Sequence, residues 1–177
     1  MAGAMAEGLA SQGVIPVYKH FPGHGDTAED SHLGIAVTYK SAAQLTECEW
    51  LPYLNNDLTD CAVMVGHIAV PNLTGDMTPA SLSRIMVTDY LRNTLGFDGL
   101  VITDSLAMAG ITNYYSPGDA AVRALDAGCD ILLMPAVFTE AYDAVLRAAN
   151  SGEITLERID ESVRRILEYK LRAGLIE

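Results

Sequence analysis

The sequence predicts an α/β fold, parallel strands covered by helices, on three observations. Strand-like and helix-like segments alternate four times along the 177 residues. The strand-like segments are unbroken apolar runs, such as CAVMVG at 61–66, which suits a parallel sheet covered on both faces. Polar residues cluster just after these runs: Lys19 and His20, then His67, then Asp104. Both (β/α) barrels and open doubly wound sheets build their sites at that edge, so both architectures stand on this evidence. A Rossmann dinucleotide fold is weakly supported, because no strand is followed by GxGxxG, and a P-loop is also missing.

In chain order, residues 2–12 form the first expected helix, with Gly13 as its C-cap. Val14 to Tyr18 is a short apolar run of strand length. A loop from Lys19 to Gly34, crowded with Gly, His and Asp, follows it. Ser41 can cap a helix running to about Asn56, and Pro52 would kink its second half. The second strand is Cys61 to Gly66. Ser81 or Ser83 opens a helix that ends near Gly96. The third strand is Leu100 to Thr103, and a helix is expected over 119–126. Ile131 to Met134 is the fourth strand, and helices over 138–150 and 156–173 complete the chain.

Composition narrows the function classes. Half the residues are hydrophobic and 19% are charged, the balance of a globular domain, and 177 residues suit a single one spanning 1–177. The formal charge of −12, with no basic stripe, argues against nucleic acid as a partner. No apolar run approaches the ~18 residues of a membrane span. Residues 1–13 lack the basic start and apolar core of a signal peptide, so the compartment stays unassigned. Cys48, Cys61 and Cys129 share no metal-ligand spacing, and no HExxH pattern occurs, so neither a metal nor a cofactor is expected.

The segment KHFPGHGDTAEDSH, Lys19 to His32, is highly specific. It resembles the corresponding segment of family 3 glycoside hydrolases of the NagZ-like β-N-acetylhexosaminidase kind. VITDSLAM (101–108), TPASL (78–82) and LGFDG (95–99) are similar to further segments of that family, in the same order. The resemblance implies a (β/α)8 barrel of the TIM-barrel family, of which this chain holds the last four βα units plus flanking helices.

It also implies a retaining glycosidase that releases terminal β-linked GlcNAc from a carbohydrate such as a muropeptide or chitooligosaccharide. Asp104 matches the family's nucleophile, His32 its general acid/base, and Asp30 the partner that orients this histidine. Lys19 and His20 match sugar-contacting positions. An imidazole titrates near neutral pH and can serve first as acid and then as base. Taken alone, Asp104 would read as a helix N-cap and His32 as a surface histidine. His67 reads equally as a substrate contact or as a structural hydrogen-bonding group, and His24 and Asp26 as loop braces.

The family's first four units, which contribute to the sugar pocket, have no counterpart here. Four strands cut from a barrel leave two open edges, so a complementary N-terminal half-barrel or self-association is the expected partner. A half-barrel inactive without its complement is the alternative reading. A family 3 β-glucosidase is a further one, disfavoured because Ser105, not Trp, follows Asp104.

Overall fold

The computed structural model describes residues 1–25, 27 and 34–177. Helix α1 (Ala2–Ala10) leads to strand β1 (Val17–Phe21), and β2 (Ala36–Val37) precedes the short helices α2 (Ala42–Glu47) and α3 (Leu51–Leu54). Strands β3 (Ala62–Val65) and β4 (Ile68–Ala69), helix α4 (Pro71–Thr74), a 3-10 turn (Ala80–Leu82) and a π-type helix (Ile85–Thr94) follow. Strand β5 (Val101–Thr103) and helices α5 (Ala109–Thr112), α6 (Pro117–Ala127), α7 (Phe138–Ser151) and α8 (Leu156–Arg172) complete the order.

The main sheet is parallel, in the order β1-β3-β5. Its register aligns Tyr18 with Val63 and Val63 with Val101, a buried row on one face. That face packs on Leu45, Trp50 and Tyr53 from α2, α3 and their junction, and on Met86, Val87 and Leu91 of the π-type helix. The adjacent row of Lys19, Met64 and Ile102 lies on the other face and stays partly open. Burying side chains of this size stabilises by about 1.5–3 kcal/mol each, which orients the sheet toward its helices.

Several local expectations are corrected. The first strand runs Val17–Phe21 rather than Val14 to Tyr18, and its later end places Lys19 and His20 within it. The helix expected over 41–56 is two pieces, because the chain breaks at Cys48 (φ −139°) to bury Trp50. Trp50 lies nearly parallel to Phe21, with ring centroids 6.1 Å apart. Pro52 sits in the first turn of α3, where its missing N–H costs no helical hydrogen bond. Ser41 caps α2 as expected, in a reciprocal arrangement with Gln44.

Ile131 to Met134 forms no strand but joins the sheet by one bridge, Ile131 to Ile102. Its ladder ends early because the Leu133 N–H donates to the Thr103 hydroxyl (2.9 Å), a side chain in place of a carbonyl. Two residues earlier the Thr103 N–H donates to the Ile131 carbonyl, and at Met134 the backbone turns to φ 46°. The helix ending at Gly96 is present, but its turns follow i to i−5 spacing, as in Leu95 N–H to the Tyr90 carbonyl.

Helix α8 closes the N-terminal ends of the strands. The Tyr169 hydroxyl donates to the Cys61 carbonyl at 2.7 Å, and Arg158 donates to the carbonyls of Leu125 and Cys129. Beneath it lies Asp130, whose side chain has no solvent exposure. Its two oxygens accept from Arg92 (2.8 Å), the Val101 N–H (3.0 Å), the Ser162 hydroxyl (2.8 Å) and Arg165 (3.2 Å). With this end sealed, the opposite, C-terminal edge is free for chemistry.

Candidate active site

Parallel pairing brings the ends of β1, β3 and β5 to one edge, and His20, His67 and Asp104 meet there. Asp104 follows β5 directly, and its own N–H donates to the Val65 carbonyl of β3 at 2.9 Å. The Ser105 N–H donates to Asp104 Oδ1 at 2.8 Å. Asp104 Oδ2 lies 3.5 Å from His20 Nε2, and the two side chains are 18% and 27% exposed. One carboxylate oxygen is thus anchored and the other is turned toward an imidazole at the surface. When His20 is protonated, that contact is an ion pair.

His20 reaches this place through an irregularity in β1. The register pairs Lys19 with Met64 and Phe21 with Val65, so His20 is an extra residue in the ladder. Such a bulge bends the strand and re-aims a side chain. The Lys19–His20 and Phe21–Pro22 peptides are both cis. Phe21, fully buried against Trp50 and Tyr53, holds the end of the strand while His20 points to Asp104. Gly66 lies opposite, where a Cβ would crowd the His20 Cβ at 3.2 Å. The His24 ring meets His20 edge-on, with centroids 6.0 Å apart, and its Nδ1 lies 2.7 Å from the Thr27 hydroxyl.

His67 lies behind this pair with no exposed surface. Its Nε2 is 2.9 Å from the Ser105 carbonyl and its Nδ1 is 2.8 Å from the Ser81 hydroxyl. Burial pushes its pKa below the ordinary value, outweighing the Ser105 hydrogen bond and the nearby Asp104 charge, which favour protonation. Of the two roles open to His67, the geometry fits the structural one. An enclosed ring with both nitrogens engaged has no face left for a sugar.

Of the other residues singled out from sequence, Lys19 is exposed on the open row of β1 and His20 is beside Asp104. Asp30 and His32, with Asp26, lie outside the described residues. Sequence reasoning missed the part played by Ser81. Its presence in TPASL marked it only as a helix opener, whereas its hydroxyl turns to His67 and Ser83 takes over the N–H of Met86 (3.4 Å). Among the described residues, no group of three His, Cys, Asp or Glu is placed to hold a metal ion. No described helix is long and apolar enough to cross a membrane.

Parallel strands with an acid–imidazole cluster at their carboxyl edge define an α/β protein in which that edge is the candidate functional face. Comparison with known proteins places it further: the chain belongs to glycosyl hydrolase family 3, whose N terminal domain model matches residues 1–169. It is 42% identical over 180 residues to the beta-hexosaminidase LpqI of Mycobacterium tuberculosis, a match covering 96% of this chain and 45% of that protein. Beta-hexosaminidase A of Pseudoalteromonas piscicida is 31% identical over 190 residues, with 96% and 32% covered. Among solved structures, a glycoside hydrolase family 3 beta-N-acetylglucosaminidase from Paenibacillus sp. str. FPU-7 matches at TM-score 0.92 and 38% identity, over 96% of this chain and 33% of that one. The chain spans less than half the length of these relatives.

Proposed function

We propose that this chain carries the nucleophile-bearing part of a retaining β-N-acetylhexosaminidase that removes terminal β-linked GlcNAc. The observation that carries this reading is the placement of Asp104. Its carboxylate stands at the end of a parallel strand, one oxygen fixed by a backbone N–H and the other beside His20 at the accessible edge. Relatives named beta-hexosaminidase and beta-N-acetylglucosaminidase support the substrate class.

In this mechanism Asp104 attacks the anomeric carbon, and the glycosidic oxygen leaves with a proton from His32. The resulting glycosyl ester at Asp104 is then hydrolysed by water that His32 deprotonates, so that His32 regains from the water a proton in place of the one it gave to the leaving group. Asp30 fixes the imidazole's tautomer and stabilises its charged form, as an orienting carboxylate does in a hydrolase triad. Lys19 and His20 contact the sugar, and His20 also confines the nucleophile. No cofactor or metal takes part.

The three strands and the Ile131 segment are read as the last four βα units of an eight-unit barrel, with residues 1–177 as one domain. The open row of Lys19, Met64 and Ile102 then faces the barrel interior. A complementary N-terminal half would pair with the outer edges of β1 and the Ile131 segment. The proposed substrates are GlcNAc-containing wall fragments or chitooligosaccharides.

The test is release of the chromophore from an aryl β-GlcNAc glycoside, by this chain alone and with the remaining half-barrel supplied. Asp104→Ala is expected to reduce turnover to background. His32→Ala is expected to cost on the order of 10²–10⁴-fold in kcat. Turnover that persists in Asp104→Ala overturns the assignment.

A further inference from the structure

We propose that buried His67, oriented by Ser81, is the positioning residue that locks the turn carrying Asp104. The inference rests on Asp104 being the nucleophile, and assigns to two residues that touch no substrate the task of aiming it.

Hydrogen-bond chemistry sets the direction of this chain. A carbonyl oxygen only accepts, so the 2.9 Å contact with Ser105 requires a proton on His67 Nε2. In a neutral ring Nδ1 is then an acceptor, so the Ser81 hydroxyl donates to it across 2.8 Å. Ser81 is itself fully buried in the 3-10 turn, and its carbonyl receives the Cys129 thiol at 3.6 Å. The tautomer of His67 is therefore dictated from one side and used on the other.

The bond made by His67 is well placed to control geometry. It holds the carbonyl of the Ser105–Leu106 peptide, whose N–H end donates to the Leu133 carbonyl at 2.9 Å. Both ends of that peptide plane are clamped, one by β3's extension and one by the Ile131 segment. The preceding residue is tied to Val65, and the intervening N–H of Ser105 is the group that grips Asp104 Oδ1. With the planes on either side held, the direction of that N–H, and so of the carboxylate, has little freedom. Packing reinforces the clamp: a Cβ at Gly110 of α5 would stand 3.4 Å from the His67 Cβ and 2.8 Å from the Gly34 carbonyl.

Neutrality is part of the device. Among the described residues, the charged or titratable groups facing His67 are Asp104 and His20, and a cation at His67 would compete with His20 for the carboxylate. A buried ring held neutral supplies a directional donor without changing the charge seen by a substrate.

Long-range ¹H–¹⁵N NMR of the intact chain tests the first link. His67 is expected as the Nε2–H tautomer, whereas an Nδ1–H tautomer or an imidazolium near neutral pH overturns it. The second link is tested by amide exchange in His67→Leu and Ser81→Ala. Ser105 and Leu106 are expected to lose protection about tenfold or more in His67→Leu, and less in Ser81→Ala. Val63, whose N–H bonds Leu100 in the middle of the sheet, keeps its protection. Uniform loss everywhere, or none at Ser105, refutes a positioning role. In the kinetic arm, run on the enzyme assembled as above, His67→Leu lowers kcat on the order of 10- to 100-fold with KM within about twofold. His67→Gln, which restores a neutral donor, recovers most of it. Unchanged kcat in folded His67→Leu overturns the proposal while leaving Asp104 intact as nucleophile. Activity in Asp104→Ala removes the nucleophile assignment, and the exchange data still judge the clamp.

Discussion

Replacing Asp130 with alanine should destabilise the protein more than almost any other single surface-remote change. The side chain has no exposure, and its two oxygens gather Arg92, Ser162, Arg165 and the Val101 N–H within 3.2 Å, with Arg158 at 3.7 Å. Truncation leaves three guanidinium groups, each at most 16% exposed, converging on an uncharged hole. Burial already pushes the Arg158 pKa downward, a sign that this cation depends on its carboxylate. Removing one partner of such a buried cluster costs about 3–5 kcal/mol, and the stranded Val101 N–H lies within that figure. For a domain of this size the loss corresponds to a fall in Tm of roughly 6–20 °C. Urea denaturation followed by circular dichroism at neutral pH measures it. Asp130→Asn should lose nearly as much, since it removes the same charge and turns an NH2 donor toward partners that are themselves donors. A loss under about 1 kcal/mol for Asp130→Ala would show that water or side-chain rearrangement satisfies the arginines, and that the cluster does not hold the floor of the sheet.

Three other outcomes follow from the same geometry. His67, whose folded pKa lies below its ordinary value of 6.5, binds a proton less readily when folded than when unfolded. Its contribution is therefore complete above about pH 6.5 and is lost as pH falls toward the depressed value. The urea midpoint should drop between pH 7.5 and 5.5, and less so in His67→Gln; an equal drop in both removes His67 as the cause. Cys48 is exposed, whereas burial raises the Cys61 thiol pKa and pushes Cys129 up to about 12. Titration of the native chain with a disulfide reagent should modify one thiol quickly and the other two only in denaturant. Gly110→Ala would place a methyl 2.8 Å from the Gly34 carbonyl, and a cost of about 1–3 kcal/mol is expected by thermal melt. A neutral result there would mean that α5 shifts freely.

The parts of the fold legible in sequence were those written in local patterns. The runs CAVMVG and LVIT became β3 and β5 because an unbroken apolar stretch can be satisfied only between covering layers. Asp104 was visible because a polar residue interrupts such a run at its end. The end of β1 extends past the expected Tyr18 because Lys19 and His20, which look like loop residues, sit one on the open sheet face and the other in a bulge. The split between α2 and α3 was hidden for a related reason. Helical spacing continues through Cys48, and only the burial of Trp50 against Phe21, far upstream, explains the break. The Asp130 cluster left no signal at all, since its arginines lie 38 and 35 residues away and each reads alone as an ordinary solvated charge. His67 was ambiguous for want of its neighbour Ser81, 14 residues on.

Helix α8 has a consequence for how the chain comes into being. The bond from Tyr169 to Cys61 spans 108 positions, and that from Arg172 to Asp60 spans 112. While a ribosome is extending the polypeptide, β1, β3 and β5 can emerge and pair before α8 is there to cover the ends at which they begin. That shelter arrives only after Arg172 has left the exit tunnel. Until then the nascent protein displays a raw lower rim, and chaperones would find their longest opportunity there.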